Sequence, residues 1–92
     1  MGKITVADVY HEFENDIEKE LIQITSEPLV MSNGFMKSAC FVGSLQKISR
    51  KIYHKYGVEL FDPNASPKYV QDVIYQQLYN LSTNIRRKYG FI

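Results

Sequence analysis

Apolar side chains recur at spacings of three and four residues in three long stretches of the chain, which is the pattern of amphipathic helices. The spacing predicts helices over about residues 5–25, 35–56 and 67–89. The first apolar stripe contains Val6, Val9, Tyr10, Phe13, Ile17, Leu21 and Ile24. The second contains Phe41, Leu45, Ile48, Ile52 and Tyr56, with Phe35, Val42 and Tyr53 at its edge, and the third contains Val70, Ile74, Leu78, Leu81, Ile85 and Tyr89.

Helix-capping residues mark the starts of the first and third stretches. Thr5 precedes Asp8 by three positions, which resembles a capping box. Ser66 followed by Pro67 pairs a typical N-cap residue with the residue that favours the first helical position.

Glycines and polar turns mark the helix ends and connections. Gly57 and Gly90 each follow a cation-rich turn and are predicted to close the second and third helices. Residues 58–61 are predicted to be loop. Residues 26–34 form a connection that has room for one short helical turn.

Three apolar stripes joined by connections of about nine or ten residues predict an all-α fold. We expect a three-helix antiparallel (up-down-up) bundle that forms one domain over residues 1–92, because each stripe needs the others for burial. Lys51 or Lys55 is then expected to face Asp8 or Glu12 on the first helix.

Composition supports a folded globular domain: 45% of residues are hydrophobic and 23% are charged. The start of the chain lacks the pattern of a secretory signal, and charged or amide side chains interrupt every apolar run, so we expect no membrane span. Cys40 is the only cysteine. These features predict a cytoplasmic protein without an internal disulfide.

The net charge of +1 conceals an uneven distribution, because residues 1–28 hold seven acids and two bases whereas residues 29–92 hold nine bases and three acids. Two interpretations remain open. The split indicates either a surface for nucleic acid or an acidic partner, or attraction between neighbouring helices of one bundle.

Side chains for catalysis or metal binding are sparse. On a rigid helix Cys40 and His54 are ~21 Å apart, which is too far for joint catalysis. The acids of the first helix lack the wrapping loop that calcium needs and the Glu-x-x-His spacing of di-iron bundles. We therefore expect no enzyme, no metal site and no cofactor, and an ordinary small apolar role for Cys40.

The third helix carries the strongest candidate for a binding surface. Lys68, Tyr75, Tyr79 and Arg86 are predicted to point away from its apolar stripe. Tyr and Arg often anchor protein–protein interfaces, so we expect this face to bind another protein or to form a homodimer. The alternative is that both rings lie flat over the edge of the bundle, or that residues Leu29 to Met31 cover them. An inhibitor, immunity protein, phage-like protein or accessory subunit would all fit.

A nucleic-acid-binding accessory protein is the other functional interpretation. It would use basic residues of the second and third helices, namely Lys47, Arg50, Lys51, Lys55, Arg87 and Lys88. These cations also compensate the dipoles at helix C-termini, and antiparallel helices would separate them into two groups. Nucleic acid is therefore the less favoured partner.

The final twelve residues, Leu81-Ser-Thr-Asn-Ile-Arg-Arg-Lys-Tyr-Gly-Phe-Ile92, resemble the end of the small helical immunity proteins that protect producers of pediocin-like bacteriocins. The resemblance implies a four-helix bundle, in which residues 26–34 would supply the additional helix. It covers only this segment, and we do not assign the chain to that family.

Overall fold

The computed structural model describes residues 4–92, which form helices and contain no strand. The helices are α1 (Val6–Thr25), α2 (Pro28–Met31), α3 (Gly34–Leu60), α4 (Pro67–Leu81) and α5 (Thr83–Lys88). The predicted all-α class is confirmed. No helix within residues 4–92 is long and apolar enough to cross a membrane. Residues 1–3, where the predicted domain begins, lie outside the described residues.

Helix α1 matches its prediction closely. Thr5 and Asp8 form the expected capping box: the Thr5 N–H donates to Asp8 Oδ2 at 2.7 Å, and the Asp8 N–H donates to Thr5 Oγ1 at 3.2 Å. All seven residues of the predicted stripe, from Val6 to Ile24, are buried. An uninterrupted stripe and a strong cap together determine this helix.

The short helical turn predicted within residues 26–34 is confirmed as α2. Pro28 begins it, and Val30 and Met31 pack against the core. Because α2 has only four residues, it does not supply the additional long helix that the resemblance to immunity proteins implied.

Helix α3 is longer than predicted at its C-terminal end. Gly57 does not close the helix, and residues 58–60 are helical instead of loop. The Phe61 N–H donates to the Gly57 carbonyl at 3.1 Å, and both Leu60 and Phe61 pack against the core. The packing of these two apolar side chains favours continuation of the helix beyond Gly57.

The predicted third helix is interrupted at Ser82, which separates α4 from α5. The Ser82 hydroxyl donates to the Tyr79 carbonyl at 3.2 Å, and the Thr83 hydroxyl donates to the Asn80 carbonyl at 2.8 Å. Such side-chain bonds compete with the backbone bonds of a continuous helix. The prediction of one helix over residues 67–89 was therefore wrong at this point.

Contacts near both of its ends join α3 to the other long helices. On α1, Glu20 lies beside Lys47 of α3, and Glu12 lies beside Lys55. On α4, Tyr79 lies near Phe41 of α3, and Val70 lines a cleft together with Tyr53.

The core lies where α1, α3 and α4 meet. Leu21, Leu45, Ile52, Ile74 and Leu78 are completely buried there, and each such side chain contributes roughly 1.5–3 kcal/mol. Leu81, which was expected in the third stripe, is exposed, and Ser82 is buried in its place at the helix break.

Candidate functional site

The surface between α3 and α4 contains two adjoining clefts of about 170 Å³ and 400 Å³, which share Val42. We call them together the α3–α4 groove. The smaller cleft lies between the start of α3 and the residues after α4, and Arg86 lines it. The larger cleft extends along α3 to Arg50 and along α4 through Tyr75.

Both tyrosines of the predicted binding face lie in this groove, one in each cleft. Their ring centroids are 6.4 Å apart with the planes tilted by 32°. Tyr79 is 40% exposed. Tyr75 is half-buried, and burial, with a smaller effect of Tyr79, raises the pKa of its hydroxyl. The rings therefore combine apolar surface with hydroxyl groups, as interface anchors do.

Arg86 was expected on the exposed face of the third helix, but it is only 7% exposed. Its guanidinium lies 4.1 Å from the Tyr79 ring centroid and 5.7 Å from that of Phe41. Its Nη2 donates to the Tyr79 carbonyl at 2.8 Å and to Thr83 Oγ1 at 3.1 Å. The helix break supplies these acceptors, which draw the side chain inward and into the wall of the smaller cleft.

The smaller cleft is also lined by five residues that the sequence analysis did not assign to the site: Lys37, Ser38, Phe41, Val42 and Phe91. Lys37 Nζ donates to the Gly90 carbonyl at 2.8 Å and lies 5.5 Å from the Phe91 ring centroid. The rings of Phe41 and Phe91 are 5.5 Å apart.

The backbone around Gly90 places Phe91 in this cleft. Gly90 has a φ of +79° and closes α5 as predicted. The Phe91 N–H donates to the Arg86 carbonyl at 2.8 Å and the Gly90 N–H donates to the Arg87 carbonyl at 3.3 Å. This is the Schellman arrangement, in which the residue after the glycine commonly makes an apolar contact. The pair Gly90-Phe91 was therefore the feature of the sequence from which the contact of Phe91 could have been predicted.

Lys68, the fourth residue of the predicted face, lies apart from the others. It is exposed in the first turn of α4 and belongs to neither cleft of the groove. The structure therefore brings together Tyr75, Tyr79 and Arg86 but not Lys68.

Three of the six cations proposed for nucleic-acid binding form ion pairs with acids of α1. Lys55 lies 2.9 Å from Glu12, as the antiparallel arrangement predicted for Lys55. The distance from Lys47 to Glu20 and that from Lys88 to Glu18 are both 3.2 Å. In these three pairs, acids from the acidic part of the chain attract bases from the basic part on neighbouring helices.

The other three cations are dispersed. Arg50 lines the α3–α4 groove, and Lys51 lines an open cleft together with Glu12 and Asp16. Arg87 contacts Asn84 within its own helix, at 3.5 Å.

Cys40 and His54 line different clefts. Cys40 was expected to behave as a small apolar residue, but it is exposed and lines a separate cleft between α1, α2 and α3. His11 is exposed and lies 3.1 Å from Glu14 of the same helix. The described residues contain no group of three or more side chains that could hold a metal ion. The groove thus offers recognition chemistry: aromatic faces, the three cations Lys37, Arg50 and Arg86, the carboxylate of Asp72, and amide groups.

No family model, curated protein or solved structure matches this chain.

Proposed function

We propose that this chain is a non-enzymatic interaction protein of the inhibitor, immunity or accessory-subunit type, which binds another protein through the α3–α4 groove. The main support for this proposal is that Tyr75, Tyr79 and Arg86 lie together in one groove. Aromatic rings beside a largely desolvated guanidinium are the composition of interface hot spots. In this proposal the three long helices act as an up-down-up scaffold that presents the groove.

Exposed apolar side chains around the smaller cleft support the same surface. Phe35, one turn before Ser38 on α3, is 83% exposed, and Val42, one turn after it, is also exposed. Residues three and four apart share a face of a helix, so Phe35, Ser38 and Val42 form one strip beside the cleft. A partner that covers this strip and Tyr79 gains apolar burial as well as polar contacts.

A different protein fits the groove better than a second copy of this chain. A basic and aromatic groove favours an acidic partner, and three of the glutamates on α1 are already paired with this chain's own lysines. The exposed thiol of Cys40 supports a reducing, cytoplasmic setting. The nucleic-acid alternative has less support, because half of its proposed cations form those same ion pairs.

Photo-crosslinking tests this proposal directly. We would replace Tyr79 by p-benzoylphenylalanine, express the protein in its native cells and irradiate them. Tyr69, which is 61% exposed and lies outside the groove, is the matched control. We expect a discrete adduct from position 79 and not from position 69. An adduct with twice the mass of the chain would identify a homodimer and contradict the choice of a different partner.

A double substitution provides the second measurement. Tyr75→Ala with Tyr79→Ala should leave the helical circular dichroism spectrum unchanged and abolish capture of the crosslinked partner in a pull-down. Unchanged capture by this variant, or equal crosslinking from positions 69 and 79, would remove the groove as the docking surface.

A further inference from the structure

Arg86 is a buried cation without a counter-ion. It is 7% exposed, yet the ion pairs of residues 4–92 involve only other side chains. Removing a charge from water is costly unless a charged or hydrogen-bonding partner compensates it. A buried and unpaired guanidinium at the wall of an open cleft therefore indicates a place where an anion would be stabilised.

The contacts that hold Arg86 leave part of its hydrogen-bonding capacity unused. Its Nη2 is bonded to Tyr79 and Thr83, whereas its buried Nε has no hydrogen-bond partner among residues 4–92. A guanidinium has five N–H donors arranged in a planar fork that matches the two oxygens of a carboxylate. The rings of Tyr79 and Phe41 fix the guanidinium plane without neutralising its charge.

A second cation lines the same cleft. Lys37 is half-buried, and its ammonium is held by the Gly90 carbonyl beside Phe91. The remaining lining consists of Ser38, Val42 and aromatic rings, with no acidic side chain. The cleft thus combines two positive charges with apolar walls, which is complementary to a carboxylate attached to an apolar or aromatic neighbour.

We propose that the protein segment bound in the α3–α4 groove inserts one Asp or Glu side chain into the smaller cleft, where its carboxylate pairs with Arg86. This inference rests on the proposed function. We assign a side chain rather than a chain terminus because the groove continues past Val42 toward Tyr75 and Arg50, so the bound segment runs on in that direction. An apolar neighbour of the acid covers Phe35 and Val42.

Arg86 also has a structural contact, because it bonds the Tyr79 carbonyl at the helix break. Its own substitution would therefore disturb folding as well as binding. Ser38 provides a cleaner test, since it is exposed on α3 and lines the cleft. Ser38→Glu places a resident carboxylate next to Arg86 and Lys37, whereas Ser38→Gln adds a side chain of equal size without charge.

The direct test is a titration of the ¹⁵N-labelled protein with three small probes followed by NMR. The first probe is N-acetyl-Glu-Phe-amide, the second is N-acetyl-Gln-Phe-amide and the third is N-acetyl-phenylalanine with a free terminal carboxylate. We expect the Glu probe to bind at least tenfold more tightly than the Gln probe, because a hydrogen bond to a charged group is lost in the latter. The largest shift should be that of the Arg86 Nε–H signal.

The serine variants complete the test. Ser38→Glu should weaken binding of the Glu probe at least tenfold more than Ser38→Gln does, because the two new side chains are equal in size and differ in charge. The proposal is overturned by equal affinity for the Glu and Gln probes, by shifts away from Arg86, or by equal effects of the two serine variants. Equal binding of N-acetyl-phenylalanine would assign the cleft to chain termini and overturn the choice of a side chain.

These outcomes separate the two proposals. Partner capture in the pull-down that survives in both serine variants, but is lost in the double tyrosine variant, would retain the docking groove and reject recognition of a carboxylate. Capture that is lost in Ser38→Glu and in the double tyrosine variant, but not in Ser38→Gln, supports both.

Discussion

Two buried side chains, Tyr10 and Arg86, each have a polar atom without a hydrogen-bond partner among residues 4–92. The Tyr10 hydroxyl lies within the core, where burial and then the carboxylate of Glu14 raise its pKa to about 12. The Nε of Arg86 is equally buried, but the Arg86 side chain lines a cleft. An unsatisfied group in a closed core only lowers stability, whereas a guanidinium at the wall of a cleft has further donors for a ligand.

Tyr10→Phe is expected to increase the free energy of unfolding by about 1 kcal/mol, because it removes a buried hydroxyl without a partner and keeps the ring. Urea unfolding followed by circular dichroism measures this change. Tyr69→Phe alters an exposed ring and should shift the value by less than about 0.5 kcal/mol. Lower stability of Tyr10→Phe would show that the hydroxyl does have a stabilising partner.

At the scale of the helices, sequence patterns predict an element well where local and tertiary preferences agree. Helix α1 has a capping box and an unbroken stripe, and both are confirmed. Helix α3 passes Gly57 because Leu60 and Phe61 find apolar partners, which local sequence does not reveal. The break at Ser82 had a visible signal, since Asn80, Ser82 and Thr83 all have side chains that compete for backbone bonds.

Like the helices, the candidate site could be predicted from the sequence only in part. The shared helical face of Tyr75 and Tyr79 follows from their spacing of four residues. The burial of Arg86 does not follow from spacing, because it depends on the Tyr79 carbonyl at the break and on Phe41 from another helix. Contacts between distant segments, such as that of Lys37 with Gly90, leave no periodic signal.

Two glycines, one within a helix and one just after a helix, should respond oppositely to alanine. Gly43 lies within α3 and a Cβ there would meet nothing within 4 Å, so Gly43→Ala should stabilise the protein by about 0.5–1 kcal/mol through helix propensity. Gly90 has open space but a φ of +79°. Gly90→Ala should therefore destabilise by about 1 kcal/mol through backbone strain alone.

Thermal unfolding of both variants beside the parent protein measures these changes, and each serves as the control for the other. Equal shifts of the midpoint in the same direction would contradict the argument. Phe91 and Lys37 line the smaller cleft, and Lys37 is held there by the Gly90 carbonyl. Gly90→Ala should therefore also weaken binding of the Glu probe, whereas Gly43→Ala should not.

At the scale of the whole molecule, the acidic and basic parts of the chain meet in three ion pairs. Helix α1 supplies Glu12, Glu18 and Glu20, while Lys47 and Lys55 come from α3 and Lys88 comes from α5. Glu12 accepts a further hydrogen bond, since the Tyr56 hydroxyl also donates to it at 2.9 Å. This cluster links the N-terminal half of α1 to the C-terminal half of α3.

The Glu12 cluster predicts how stability depends on pH. Hydrogen bonds from Lys55 and then Tyr56 lower the pKa of Glu12 below its ordinary value of 4.5. Its contribution is therefore present above pH 4.5 and is lost as the pH falls through the lower folded-state pKa. The hydrogen bond to Glu12 raises the pKa of Lys55 above 10.5 and that of Tyr56 above 10.0. Their contributions are present below those values and are lost at higher pH.

Glu12→Gln should lower the unfolding midpoint most between about pH 5 and pH 9, where the carboxylate and the ammonium are both charged. The difference from the parent protein should shrink as acid protonates Glu12, and again as alkali deprotonates Lys55 and Tyr56. Thermal unfolding measures it over a pH range that extends from below the pKa of Glu12 to above those of Lys55 and Tyr56. Glu27→Gln is the control, because Glu27 is exposed and belongs to none of the ion pairs within residues 4–92. A constant difference at every pH would mean that Glu12 stabilises the helix pair by packing, so that the opposite charges of α1 and α3 would not be what joins them.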